Sequence, residues 1–182
     1  MRTMPTALVE ALDEAVLEIV CRKTLLSATK AMVDVAEETG NNDGHFIELL
    51  QQVVDGKAQN ESYCVAFVMG MVGYTEYRLN IKSHLNSTEG VLYLWNSTPE
   101  EYKKTSPIIG DIAMWRHKDT VKGHCGIVIS INDDGSFGCV EGNTKSGAQG
   151  FDTGNEGQGI FLKERPPGTV GTMELLGFIS PF

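Results

Sequence analysis

Cys64 opens the run Cys-Val-Ala-Phe-Val-Met-Gly-Met, which reads as the start of a helix, with Ser62 placed to cap it. A thiol in the first turn of a helix meets the positive end of the macrodipole. That favours the thiolate, the form that attacks a carbonyl carbon. The same position also suits a small buried hydrophobe, the usual fate of a free cysteine. His124 stands at the head of the most β-like run in the chain, Gly126–Ile131. A histidine at a strand edge can act as a base in a groove, or can simply be a satisfied ring. Glu141 and Asn143 close the next apolar run, Phe137–Glu141. If the two runs form a hairpin around Asp133-Asp134-Gly135, the start of the first lies beside the end of the second. A carboxylate or an amide there can hold the imidazole through its Nδ1 hydrogen and fix the tautomer. A nucleophile, a base and an orienter are the parts of covalent acyl chemistry. His45, His84 and His117 have no evident partner and read as solvated.

The flanking sequence supplies elements that could bring these residues together. Residues 7–38 carry apolar side chains at steps of three and four: Leu8, Leu12, Val16, Leu17, Val20, Leu25, Ala28, Met32 and Val35. The spacing predicts a helix whose stripe packs into the core. Gly40-Asn-Asn-Asp-Gly44 stops it and turns the chain. A second helix is expected over 45–54 with Phe46, Leu49, Leu50 and Val53 on one face. A polar loop follows at 55–62, then a third helix over 63–79 and a short one over 88–96. From Pro107 the period changes. Short β-branched runs at 111–115, 126–131, 137–141, 159–163 and 175–179 alternate with turn residues, which predicts an antiparallel meander. Helices followed by strands give the α+β class, as one domain over 1–182 whose first 60 residues are helical.

Composition narrows the partners. The 182 residues are 41% hydrophobic and 21% charged, with a formal net charge of −9. Such a chain repels phosphate backbones, so nucleic acid is not expected as a partner. Acidic residues at Glu10, Asp13, Glu14 and Glu18 interrupt any secretory h-region, and no stretch is apolar enough to span a membrane. The expectation is a protein made in the cytoplasm without a signal peptide and without membrane insertion. The four cysteines, Cys21, Cys64, Cys125 and Cys139, contain no C-x-x-C pair and form neither a zinc ribbon nor a disulfide scaffold.

With these residues in place, the sequence resembles the CHAP family of cysteine amidases and peptidases, related to the NlpC/P60 group and papain-like. Gly40–Gly44 and the apolar helix after it look like the segment that precedes the nucleophile. Ser62-Tyr-Cys-Val-Ala-Phe-Val68 looks like the nucleophile helix, and Pro107–Trp115 like the first strand behind its Gly-Asp pair. Gly123-His-Cys-Gly-Ile-Val128 looks like the histidine strand. Val140-Glu-Gly-Asn-Thr144 looks like the third-residue motif, and Leu176–Pro181 like the closing strand. The resemblance implies a papain-like fold with Cys64 as nucleophile, His124 as base, Glu141 as orienter and Asn143 as a fourth polar member. It implies an amide bond of peptidoglycan as substrate, either the sugar–peptide link or a bond in the stem or cross-bridge. No metal and no cofactor are implied. Asn41, Asn42 and Asp43, which lie where some members bind calcium, bring one carboxylate and read as a turn. Many members carry Gln before the cysteine. Tyr63 in that place leaves the oxyanion side chain open, with the Cys64 backbone N–H available. Cys125 and Cys139 could approach each other as a disulfide, or simply pack inward as two apolar residues.

The same resemblance admits other readings: a non-catalytic papain-like module that binds wall peptides, a component of a phage or secretion particle, or acyl transfer at the same cysteine. A wall hydrolase without a leader would reach its substrate through a pore or a secretion system, and an immunity or inhibitor protein would be its natural partner.

Overall fold

The computed structural model describes residues 4–146 and 158–182. The sequence places specificity in loops such as 55–62, 81–105 and 145–158, and most of the last lies outside the described residues. The elements run α1 (Thr6–Ala31), α2 (His45–Asp55), α3 (Cys64–Leu79), α4 (Val91–Ser97), β1 (Lys103–Lys104), β2 (Ile112–His117), β3 (Gly123–Ile131), β4 (Phe137–Thr144), β5 (Gly159–Arg165) and β6 (Met173–Ile179). The class is α+β, with helices packed on a six-stranded antiparallel sheet, consistent with a papain-like fold.

The sheet order is β1-β6-β2-β3-β4-β5. The run β2 to β5 is the expected meander. The last strand departs from it by crossing back to lie between β1 and β2. One face of the sheet carries Ile112, Met114, Cys125, Ile127, Val140, Ile160 and Ile179, which pack with Leu25 of α1, Ile47 and Leu50 of α2, and Val65, Phe67, Val68 and Val72 of α3. The other face gathers Ala113, Trp115, Val128, Phe137, Cys139 and Phe178.

Several expectations are corrected. The first helix ends at Ala31 rather than near 38. Asp34 adopts a left-handed φ of 68° and donates its N–H to the Ile160 carbonyl, and Ala36 bridges Gly159, so this stretch joins the sheet. The apolar stripe of α1 is not core at its N-terminal end: Leu8, Leu12, Val16, Leu17 and Val20 are exposed, and the packed residues begin at Cys21 and Leu25. In α2 the buried side chains are Ile47, Leu50 and Gln51, whereas Phe46, Leu49 and Val53 face outward. Ser62 does not cap α3, whose N-cap residue is Tyr63.

Candidate active site

The four residues singled out for chemistry arrive from three elements. Cys64 is the first residue of α3 and is buried. His124 lies near the start of β3 and Glu141 in the second half of β4, and both are buried. β4 comes close to α3 because residue 142 is glycine. A Cβ there would stand 2.7 Å from Phe67 Cβ and 3.3 Å from the Tyr63 carbonyl oxygen. Gly126 serves the same purpose on β3. A Cβ at that position would lie 2.6 Å from Glu141 Cγ, so its absence leaves the space in which the carboxylate crosses to the histidine. Two glycines therefore set the distances between nucleophile, base and orienter.

Within this frame Glu141 Oε2 accepts a hydrogen bond from His124 Nε2 at 2.8 Å. The ring nitrogen differs from the Nδ1 expected from the hairpin. Nε2 is the atom held, which leaves Nδ1 as the nitrogen free for the thiol side. Cys64 interacts with both the imidazole and the thiol of Cys125, the residue next to the histidine. Of the two side chains that could have held the imidazole, the structure places Glu141 on it. Asn143 has a left-handed φ of 55°, and its backbone sits against Tyr63, while the residue lines the cavity in front of Cys64.

Arg165 of β5 was not anticipated. Its Nε donates to Glu141 Oε1 at 2.7 Å and its Nη2 to Oε2 at 2.5 Å. Its guanidinium lies 5.7 Å from the Trp115 ring, which in turn stands 6.0 Å from the His124 ring. The buried residues thus form a row: thiol, imidazole, carboxylate, guanidinium.

The charges in that row support one another. Burial alone would lower the basicity of His124, but the Glu141 charge and the hydrogen bond with Cys64 override it and raise the pKa to about 10. Burial opposes the Glu141 carboxylate in the same way. The Arg165 hydrogen bonds and the His124 charge prevail and hold its pKa at about 2. Cys64 is held well below the ordinary thiol value, first by the Cys125 hydrogen bond and then by His124, against desolvation. Cys125 is pushed well above that value, because the hydrogen bond with Cys64 and burial both favour its protonated form. These interactions favour a thiolate beside an imidazolium, with Cys125 kept in its protonated form.

A cavity of about 360 Å³ opens in front of this row. Ser62, Glu89, His117, Lys122, Asn143 and Thr144 line it with Cys64 and His124. Tyr63 does not: it is fully buried, and its hydroxyl donates to Glu37 at 2.8 Å. Ser62 and the start of α3 are the groups at the cavity beside Cys64, and the Cys64 N–H belongs to that helix start. His117 is partly buried, and His84 stacks on Tyr102 at 3.7 Å, so neither is simply solvated. Cys125 and Cys139 are free thiols on opposite faces of the sheet, and Cys139 is registered with Val128 rather than with Cys125. The segment 41–43 is a turn whose polar groups serve the chain: Asp43 accepts from Thr39, and Asn42 donates to the Asn60 carbonyl and to Glu37.

One comparison with known proteins gives a match. The family model of the CHAP domain matches residues 55–143, from the last residue of α2 to Asn143 near the end of β4. This span includes Cys64, His124, Glu141 and Asn143 and excludes Arg165. No curated protein and no solved structure matches the chain.

Proposed function

From the CHAP domain that the chain carries over residues 55–143, a family of cysteine- and histidine-dependent amidohydrolases and peptidases, we propose that this protein hydrolyses an amide bond of peptidoglycan through Cys64, His124 and Glu141. The observation that carries the reading is the buried row from Cys64 to Arg165, which ends at a cavity.

In this proposal the Cys64 thiolate attacks the carbonyl carbon of the scissile amide. The negative oxygen that forms accepts hydrogen bonds from the Cys64 N–H, with Ser62 beside it. His124, protonated and held by Nε2, delivers its proton to the leaving amine, and the C–N bond breaks. Water, deprotonated by the now neutral imidazole, cleaves the thioester and restores the thiolate–imidazolium pair. Glu141 keeps the ring oriented and charged, and Arg165 keeps Glu141 ionised. Asn143 is the fourth polar group, at the wall of the cavity. The bond is either the sugar–peptide link or one within the stem or cross-bridge. Delivery through a membrane pore or a secretion system is the proposed route to the wall. Among the described residues no helix is long and apolar enough to cross a membrane.

The test is incubation of purified protein and its Cys64→Ala variant with peptidoglycan sacculi, followed by mass spectrometry of the soluble fraction. Fragments released by the intact protein alone support the proposal, and their masses name the bond. Fragments released equally by Cys64→Ala overturn it. Binding to sacculi with no release by a folded protein favours a recognition module.

A further inference from the structure

Residues 4–20 are exposed along their whole length. They nevertheless include Leu8, Val9, Leu12, Val16, Ile19 and Val20, which are 38–56% accessible. At about 100° per residue these six side chains fall within an arc of roughly 120° on α1. Glu10, Glu14 and Glu18 occupy the opposite side. That side continues into the next turns as Cys21, Leu25 and Thr29, which are buried against the domain. The apolar arc therefore points away from the protein's own core. A projecting helix of about fifteen residues is marginal by itself in water and gains its stability by covering such a face.

The arc is complementary to itself. Two copies laid antiparallel, with a two-fold axis beside residue 14, set Leu8 opposite Val20, Val9 opposite Ile19 and Leu12 opposite Val16. Glu10, Glu14 and Glu18 then lie on the outer sides and Asp13 at one flank, so two chains of net charge −9 meet through a seam of apolar side chains. The antiparallel arrangement also sets the two helix dipoles head to tail. Covering these six side chains and Met4 on both copies removes on the order of 1,000 Å² from water, the lower bound for a specific interface.

We propose that α1 is a dimerisation element through which a second copy of this chain docks antiparallel on Leu8, Leu12, Val16 and Ile19. The proposal is independent of the catalytic reading, because these residues lie outside the site.

Size-exclusion chromatography with light scattering over a dilution series tests it. The expected mass is twice 19.9 kDa, with dissociation to the single mass on dilution. Leu12→Glu should give the single mass under all conditions with unchanged wall-degrading activity. Phe46→Glu, in the separate apolar groove between α1, α2 and α3, should leave the dimer intact. A double variant, Val9→Cys with Ile19→Cys, reads the register without relying on loss. The two positions are about 15 Å apart along one helix and cannot link within a chain, but they share a level nearer the centre of the seam in the antiparallel pair. Mild oxidation should yield a covalent dimer. A wild-type protein that is monomeric throughout the series overturns the proposal. So does a dimer that survives Leu12→Glu, one that Phe46→Glu dissolves, or a double variant that yields no covalent dimer.

Discussion

Arg165 holds Glu141 through two hydrogen bonds, Nε to Oε1 at 2.7 Å and Nη2 to Oε2 at 2.5 Å, while the same carboxylate accepts His124 Nε2. A buried carboxylate shared by two cations stays ionised, and an ionised carboxylate keeps the histidine protonated. The charge of the site therefore depends on a residue that does not line up with the cysteine in sequence or by family match.

Replacing Arg165 by Ala should leave Glu141 buried with one partner fewer. Breaking a buried pair in this way costs about 3–5 kcal/mol, and the midpoint of denaturant unfolding should fall accordingly. Arg165→Lys keeps the charge but not the paired donors and should fall between the two. An Arg165→Ala protein with unchanged stability would show that the ion pair does not act in the folded state.

Glu141→Gln should retain the fold and lose turnover, by roughly 100- to 10,000-fold, as expected when an orienting group is removed. It should also move the alkaline limb of the rate profile. With Glu141 ionised, His124 keeps its proton up to a pH of about 10. Without that charge the limb should shift to lower pH. A pH profile of kcat/KM for the two proteins measures this, and an unmoved limb would assign the basicity of His124 to another cause.

Cys64 should react with iodoacetamide as a thiolate well below the ordinary thiol pKa, because Cys125 and His124 both hydrogen-bond to it. Cys125→Ala removes the larger of these influences and should shift the midpoint of alkylation to higher pH. Cys125→Ser restores a donor and should recover part of the shift. Mass spectrometry of the Cys64 adduct against pH separates the three proteins.

Stability should also follow the row of charges. Glu141 is depressed from 4.5 to about 2. Its contribution is therefore complete above 4.5 and is lost as the pH falls towards 2. His124 is raised from 6.5 to about 10. Its contribution is complete below 6.5 and is lost as the pH rises towards 10. Together they favour the folded state most between about pH 4.5 and 6.5. Urea midpoints measured across pH should rise into that window from both sides in the native protein and lose both slopes in His124→Ala/Glu141→Ala.

Gly142→Ala should be costly for its size, because the new methyl meets Phe67 Cβ at 2.7 Å and the Tyr63 carbonyl oxygen at 3.3 Å. Overpacking of this kind destabilises by about 1–3 kcal/mol. Turnover should fall more than stability, since β4 would be pushed off the start of α3. Calorimetry and a sacculus-release assay on the same preparation compare the two effects.

The pairing of His124 with Glu141 was legible because it needs only a hairpin and its register, both marked by local turn residues. The start of α3 was legible from the apolar run after Ser62. Arg165 was not, since nothing in Gly-Ile-Phe-Leu-Lys-Glu-Arg says which face of β5 is turned towards Glu141. That depends on the pairing of β4 with β5, joined across a long connection. Periodicity misled in α1, where Leu8 to Val20 carry the same spacing as Leu25 and Met32 but extend beyond the packed domain. It misled again in α2: Phe46 and Leu49 share an apolar pattern with Ile47 and Leu50, and only the position of α3 decides which pair is covered. The place of β6 between β1 and β2 was unreadable for a related reason, because a strand's neighbour is chosen by the whole sheet.

The place of β6 has a consequence for biosynthesis. β2, which pairs with the histidine strand, keeps one edge without a neighbour until residues 173–179 exist, and Glu141 lacks its guanidinium until residue 165 does. As the ribosome extends the chain, the nucleophile helix and the histidine hairpin emerge before the pieces that close the sheet and fix the carboxylate. Such late, distant pairings make for slow maturation. The nucleophile helix and the histidine hairpin are therefore made before the guanidinium that holds Glu141 and before the strand that covers the free edge of β2.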